Sequence, residues 1–183
     1  MAAKFDPKIH HRKSIRLPGY DYAQAGAYFV TVVTWGRDCL FGRVLNEVMV
    51  LNDFGKIVQE EWERTAVARH NIELGAYIVM PNHLHGILVI NNEVGASRRL
   101  TPTEAISPKP GSVGAIMAQF KSMVTKRIWK IDETMHGTPI WQRNYHDHII
   151  RNDHEMGKIW QYIESNPLNW ADDKENPSPV PPG

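Results

Sequence analysis

A chain of 183 residues, 42% hydrophobic and 22% charged, has the length of about one globular domain and enough apolar content for a sizeable core. Its single cysteine, Cys39, excludes a disulfide within the chain and speaks against a cysteine-based zinc site. The net charge of +1 conceals an asymmetry. Residues 1–16 carry Lys4, Lys8, Arg12, Lys13 and Arg16 against Asp6 alone, and residues 105–131 carry Lys109, Lys121, Lys126, Arg127 and Lys130 with no acid. Such local basic stretches suit a polyanion, although a solvated face and a disordered arm would have the same composition.

In chain order, residues 1–19 form a basic arm that Leu17-Pro18-Gly19 closes with a turn signal. No apolar segment in it reads as a signal peptide, and no run reaches transmembrane length, so a cytoplasmic location without membrane contact is expected. Residues 28–35, dense in β-branched and aromatic side chains, predict a central strand covered on both faces. Residues 36–42 predict a loop. From about 52 to 69, Phe54, Ile57, Val58, Trp62 and Thr65 recur at helical spacing, with Asn52 or Asp53 as N-cap. Two apolar runs flank Pro81-Asn82, which predicts two strands over 77–90 joined by a tight turn. Residues 93–111, rich in Gly and Pro, read as a loop. Ser112 can cap a second helix to about Ile131, with Val113, Ile116, Met117, Phe120, Val124 and Ile128 as its buried stripe. A weak extended segment over 140–145 precedes a third helix, which starts at Asn152 or Asp153 and ends at Asn166, before Pro167. Residues 171–183 are polar, hold four prolines and read as a disordered tail, leaving 20–170 as the domain. This order predicts an α+β ferredoxin-like sandwich, an antiparallel sheet with helices packed on one face.

Two places carry candidate chemistry. On a strand, His83 and His85 point to one side with Leu84 on the other, and two imidazoles on a rigid strand are half of a divalent-metal site. The spacing alone fits equally two polar residues at a hairpin mouth. On the third helix, Tyr162 sits at the edge of an apolar stripe of Met156, Ile159, Trp160 and Ile163. Asn166 shares its face one turn on. Taken singly, Tyr162 reads as a packing tyrosine and Asn166 as a helix C-cap.

Taken together and in order, these segments resemble a known family. Met80-Pro81-Asn82-His83-Leu84-His85 is similar to the His-hydrophobic-His motif of HUH endonucleases. Tyr162-Ile163-Glu164-Ser165-Asn166-Pro167 resembles the catalytic helix of their single-tyrosine transposases. Trp141-Gln142-Arg143-Asn144-Tyr145, His148-Ile149-Ile150-Arg151-Asn152, Arg16-Leu17-Pro18-Gly19-Tyr20-Asp21-Tyr22 and Gly26-Ala27-Tyr28-Phe29-Val30-Thr31 resemble that family too. The REP-associated tyrosine transposases, which act on bacterial palindromic repeats, are the nearest branch, and the resemblance spans roughly residues 12–170. The long loop at 93–111 departs from the pattern.

The resemblance implies a transposase that nicks and rejoins single-stranded DNA, with a hairpin or palindromic repeat as partner, acting as a monomer or homodimer. Tyr162 would be the nucleophile that forms a 5′-phosphotyrosine. His83, His85 and Asn166 would hold Mg²⁺ or Mn²⁺. The chemistry fits: a phosphotyrosine ester stores the bond for rejoining, and a cation on neutral ligands keeps charge for the phosphate. Arg12, Lys13, Arg16, Lys121, Lys126, Arg127, Lys130 and Arg143 are the candidate DNA contacts. Two rivals stay open: a non-catalytic module that binds single-stranded nucleic acid on its sheet, and a metal hydrolase that uses bound water.

Overall fold

A computed structural model describes residues 20–91 and 109–177. The arm with Arg12, Lys13 and Arg16, and most of the Gly/Pro-rich loop, lie outside the described residues. The elements are β1 (Gly26–Val33), β2 (Gly42–Leu45), β3 (Val48–Leu51), α1 (Asp53–Val67), β4 (Ile72–Val79), β5 (His83–Ile90), α2 (Val113–Ile131), β6 (His146–Ile150) and α3 (Asp153–Ser165). β4, β5, β1 and β6 form one sheet in that spatial order, every pair antiparallel. The α+β sandwich is therefore the expected one, and the strand with both histidines is central. Each α-helix begins at a side-chain cap: Asn52, Ser112 and Asn152 accept from the backbone N–H of Gly55, Ala115 and Glu155.

Two elements depart from the sequence reading. The hairpin β2–β3 occupies a stretch with no predicted element, turning through Asn46 and Glu47, both at positive φ (50° and 64°). Its outward positions include Leu45, Val48 and Val50, all more than 40% exposed, so the usual alternation of polar and apolar residues is missing. The weak strand expected over 140–145 lies later, at His146–Ile150. Ile140 and Trp141 instead plug into the core, and Trp141 makes a single bridge to Thr34. As an edge strand with polar His146, Asp147 and His148, β6 carries little apolar signal of its own.

The pleat divides the core. Tyr28, Val30 and Val32 of β1 and Leu84, Leu88 and Ile90 of β5 pack with Ile57, Val58 and Trp62 of α1 and Ile116, Met117, Phe120 and Val124 of α2. The alternate residues, Phe29, Ile87 and Val89, meet Ile150, Met156, Ile159 and Ile163. So α1 and α2 share one face, while α3 lies on the other, which corrects the expectation of helices on one face only: Met156, Ile159 and Ile163 cover the alternate residues of the sheet. Trp160, expected in the stripe of α3, is 43% exposed. His83 and His85 belong to the same side of β5 as Ile87, and so open toward α3.

Gly86, beside His85, faces the other way. A Cβ there would stand 2.4 Å from Cζ2 of the fully buried Trp62 ring. Glycine lets the indole lie flat on the histidine strand. Gly86→Ala is expected to lower the unfolding free energy by about 1–3 kcal/mol through overpacking, read as an earlier urea midpoint. An unchanged midpoint would mean that the indole shifts without cost.

Candidate active site

β5 presents His83 and His85 in consecutive inward positions, with ring centroids 4.4 Å apart and both side chains buried. Each imidazole is held from behind through Nδ1. His83 Nδ1 lies 2.9 Å from Asn82 Oδ1, and His85 Nδ1 lies 2.8 Å from Thr31 Oγ1, on the strand partner directly opposite. Held this way, both Nε2 atoms point forward. That of His85 is 3.1 Å from the Tyr162 hydroxyl. That of His83 is buried with no hydrogen-bond partner.

α3 brings the second half of the site. Tyr162 is 40% exposed, its ring 5.2 Å from His85 and 6.1 Å from Phe29 between centroids. One turn on, Asn166 is 2% exposed. Its Nδ2 donates to Asp173 Oδ2 at 3.1 Å, and its buried Oδ1 has no partner. The four sequence-predicted site residues therefore converge on one place.

The segment after α3 adds a group that the sequence reading missed. Residues 171–177, assigned there to the tail, fold back over the histidines. Trp170–Asp172 form a short 3₁₀ turn, the Trp170 ring lies 6.1 Å from that of His83, and Glu175 is buried. Asp173 sits between, and its carboxylate and the two imidazoles offer ligand atoms within 4.8 Å of one another. The four prolines that suggest disorder begin only at Pro177.

The donor set fits a small divalent cation. Two imidazole nitrogens, an orphaned carboxamide oxygen and a carboxylate converge, and two of these atoms are buried without any partner, which is costly unless something binds them. Burial pushes the His83 pKa down to about 4 and that of His85 well down, the latter further lowered by its neighbour His83. Both imidazoles are thus neutral at neutral pH, the form that ligates metal. Burial, with Asp173 adding to it, raises the Tyr162 phenol above its ordinary value, so the hydroxyl keeps its proton until a positive charge arrives.

These shifts have a consequence for the metal-free protein. The unfolded chain protonates both histidines near 6.5, whereas folded His83 resists until about 4. Between those values the unfolded state binds more protons, so stability falls as pH drops through the window. In the presence of a chelator, the thermal midpoint is expected to decline below pH 6.5, before the carboxylates begin to titrate near 4. A flat midpoint over that range would count against neutral buried imidazoles.

The basic residues divide. Lys121 is half-buried and donates to the carbonyl of Gln142, and at 3.3 Å to those of Arg143 and Asn144, so it braces the loop before β6. Burial pushes its pKa down to about 8. Arg127 pairs with Glu60 at 2.5 Å and Glu61 at 2.8 Å. Lys126, Lys130 and Arg143 are exposed. All the α2 residues sit across the sheet from the histidines.

Comparison with known proteins follows the same lines. No family model matches the chain. An "Uncharacterized protein" of Haemophilus influenzae is 37% identical over 180 residues, covering 95% of this chain and 98% of that one, and the two belong to one family. A second Haemophilus influenzae protein, named "Putative REP-associated tyrosine transposase", is 22% identical over 153 residues, 81% of this chain and 73% of its own length. Among solved structures, a REP-associated tyrosine transposase bound to a REP hairpin superposes with a TM-score of 0.57 at 19% identity, over 89% of this chain and 81% of that one. The resemblance to the REP-associated branch is thus borne out, in sequence by one relative and in fold by the other. Among the described residues, no helix is long and apolar enough to cross a membrane.

Proposed function

We propose that this chain, similar in sequence and fold to the REP-associated tyrosine transposases, is a metal-dependent transposase that nicks and rejoins single-stranded DNA through Tyr162. One observation carries the reading: a tyrosine hydroxyl stands 3.1 Å from one of two buried imidazoles that, with half-buried Asp173, fit a divalent cation. A binding module has no need of orphaned ligand atoms beside a half-exposed phenol.

His83, His85, Asn166 and Asp173 would hold Mg²⁺ or Mn²⁺. The ion would supply electrophilic polarisation of the scissile phosphate's non-bridging oxygens. With one carboxylate among its ligands, it keeps about one positive charge for that phosphate. Without the ion, His85 Nε2 stands 3.1 Å from the Tyr162 hydroxyl; with Nε2 given over to the ion, the hydroxyl would be released beside the site to face the phosphate. Tyr162 Oη bonds to phosphorus and loses its proton to solvent, while the bond to the 3′-oxygen breaks and that oxygen leaves with the electron pair, taking up a proton from solvent to become a 3′-OH. The 5′-phosphotyrosine is close in energy to the diester it replaces, so an incoming 3′-OH can reverse the step without ATP. Exposed Lys126, Lys130 and Arg143, and the arm residues Arg12, Lys13 and Arg16, are proposed to contact the DNA backbone. Lys121 and Arg127 act first on their protein partners. A hairpin-forming single strand is the proposed partner, by analogy with the DNA bound to the solved relative.

The test is incubation of the full chain with single-stranded hairpin DNA and Mn²⁺ or Mg²⁺, followed by denaturing electrophoresis and peptide mapping. A protein–DNA adduct on Tyr162 is expected. Cleavage without an adduct would favour the water-using hydrolase, and binding without cleavage would favour the module.

A further inference from the structure

Asn82 stands before the two histidines, and the sequence offers it only a turn. In the structure it is completely buried. Its Nδ2 donates to the Arg37 carbonyl at 2.9 Å and to the Glu175 carbonyl at 2.6 Å. A carboxamide has two N–H groups, and here both face acceptors that cannot donate. Flipping the amide would set its oxygen against two carbonyls, so Oδ1 must face His83. An oxygen at 2.9 Å from Nδ1 can only accept, and Nδ1 must therefore carry the hydrogen. That leaves the lone pair on Nε2, the atom with no partner.

We infer that Asn82 is the positioning residue of the metal centre: it fixes His83 in the Nδ1–H tautomer and, with the same side chain, ties down the segment that carries Asp173. The inference deepens the metal-dependent reading and rests on it only for the second half. Both acceptors of the carboxamide are themselves held. Arg37 has positive φ (62°), a conformation uncommon outside glycine, and its Nε bonds Glu175 Oε2 at 3.0 Å. Glu175 N–H in turn donates to Asp173 Oδ1 at 2.7 Å. One buried side chain thus connects the histidine strand, the turn after β1 and the chain beyond α3. Hydrogen bonds behind a metal-bound imidazole commonly set its tautomer and aim, and their loss typically costs 10–100-fold in metal affinity.

Nitrogen NMR of ¹⁵N-histidine-labelled, metal-free protein reads the tautomer directly. In the natural protein, His83 is expected as a single Nδ1–H species. Should it be Nε2–H, the proposal is overturned before any variant is made. Asn82→Ala is expected to mix the tautomers of His83 and to weaken Mn²⁺ binding by roughly 10–100-fold in calorimetry. Asn82→Asp keeps an acceptor for Nδ1 but loses both donors. It is expected to retain the tautomer while Mn²⁺ binding weakens, because the Asp173 segment is released. An Asn82→Ala protein with one Nδ1–H tautomer and unaltered Mn²⁺ affinity would overturn the proposal. If the tautomer behaves as stated but no variant, and not the natural protein either, binds Mn²⁺, the metal-dependent reading fails and the tautomer assignment stands.

Discussion

Tyr162→Phe is expected to abolish the covalent DNA adduct and strand cleavage while leaving fold and hairpin binding close to those of the natural protein. The ring of Tyr162 packs against His85 and Phe29, and phenylalanine keeps all of that contact. The hydroxyl touches His85 Nε2 at 3.1 Å in a half-exposed position. Losing such a hydrogen bond costs about 0.5–1.5 kcal/mol. The chemical effect is of another order, because without Oη no phosphotyrosine forms. Circular dichroism and hairpin-binding isotherms should overlay, and the adduct band should vanish. An adduct that persists in the variant would transfer the nucleophile's role elsewhere, Tyr145 being the first residue to test.

His83→Ala should fail differently. It removes a fully buried ligand and strands Asn82 Oδ1, a cost of roughly 1–3 kcal/mol in the absence of metal. The larger effect is on the ion. A cation at a hundred times its dissociation constant raises the unfolding free energy by about 2.7 kcal/mol, and that increment should disappear from the variant at the same concentration. Asp173→Asn is the informative companion. It keeps the shape and one oxygen but removes the charge and one of the two acceptors that face Asn166 Nδ2 and the Glu175 N–H, so affinity should fall by at least about tenfold without the metal-dependent rise being lost at saturating ion. If Asp173→Asn binds Mn²⁺ as tightly as the natural protein, Asp173 merely caps the turn that holds Glu175 and the ligand set reduces to His83, His85 and Asn166.

The sequence made some of this visible and concealed the rest for identifiable reasons. Strict alternation placed His83 and His85 on one side of β5, because a period of two leaves no choice once the strand is assigned. Asn166 joined Tyr162 because one helical turn separates them. The three helix starts were legible because Asn52, Ser112 and Asn152 cap locally, without help from the rest of the fold. Asp173 was not legible. Its place depends on contacts of Glu175 with Arg37 and Asn82, which are 138 and 93 residues away in sequence. Nor did charge reveal that Lys121 and Arg127 are engaged by a loop and by α1. A basic residue reads the same whether it faces water or three carbonyls. Thr31 looked like a strand former, and only the register β1–β5 shows that it stands behind His85.

The position of β5 also decides how the site comes apart. Its residues are hydrogen-bonded on both sides, to β4 and to β1, with Trp62 lying against its far surface. Detaching His83 and His85 from their frame means dismantling the sheet, an event that costs nearly the whole unfolding free energy. α3 has no such hold, for within its span only Ile163 is fully buried. The nucleophile and the imidazoles therefore belong to different cooperative units. A fluctuation that lifts Tyr162 away leaves the two imidazoles on their strand, so the helix can come and go against an unchanging template.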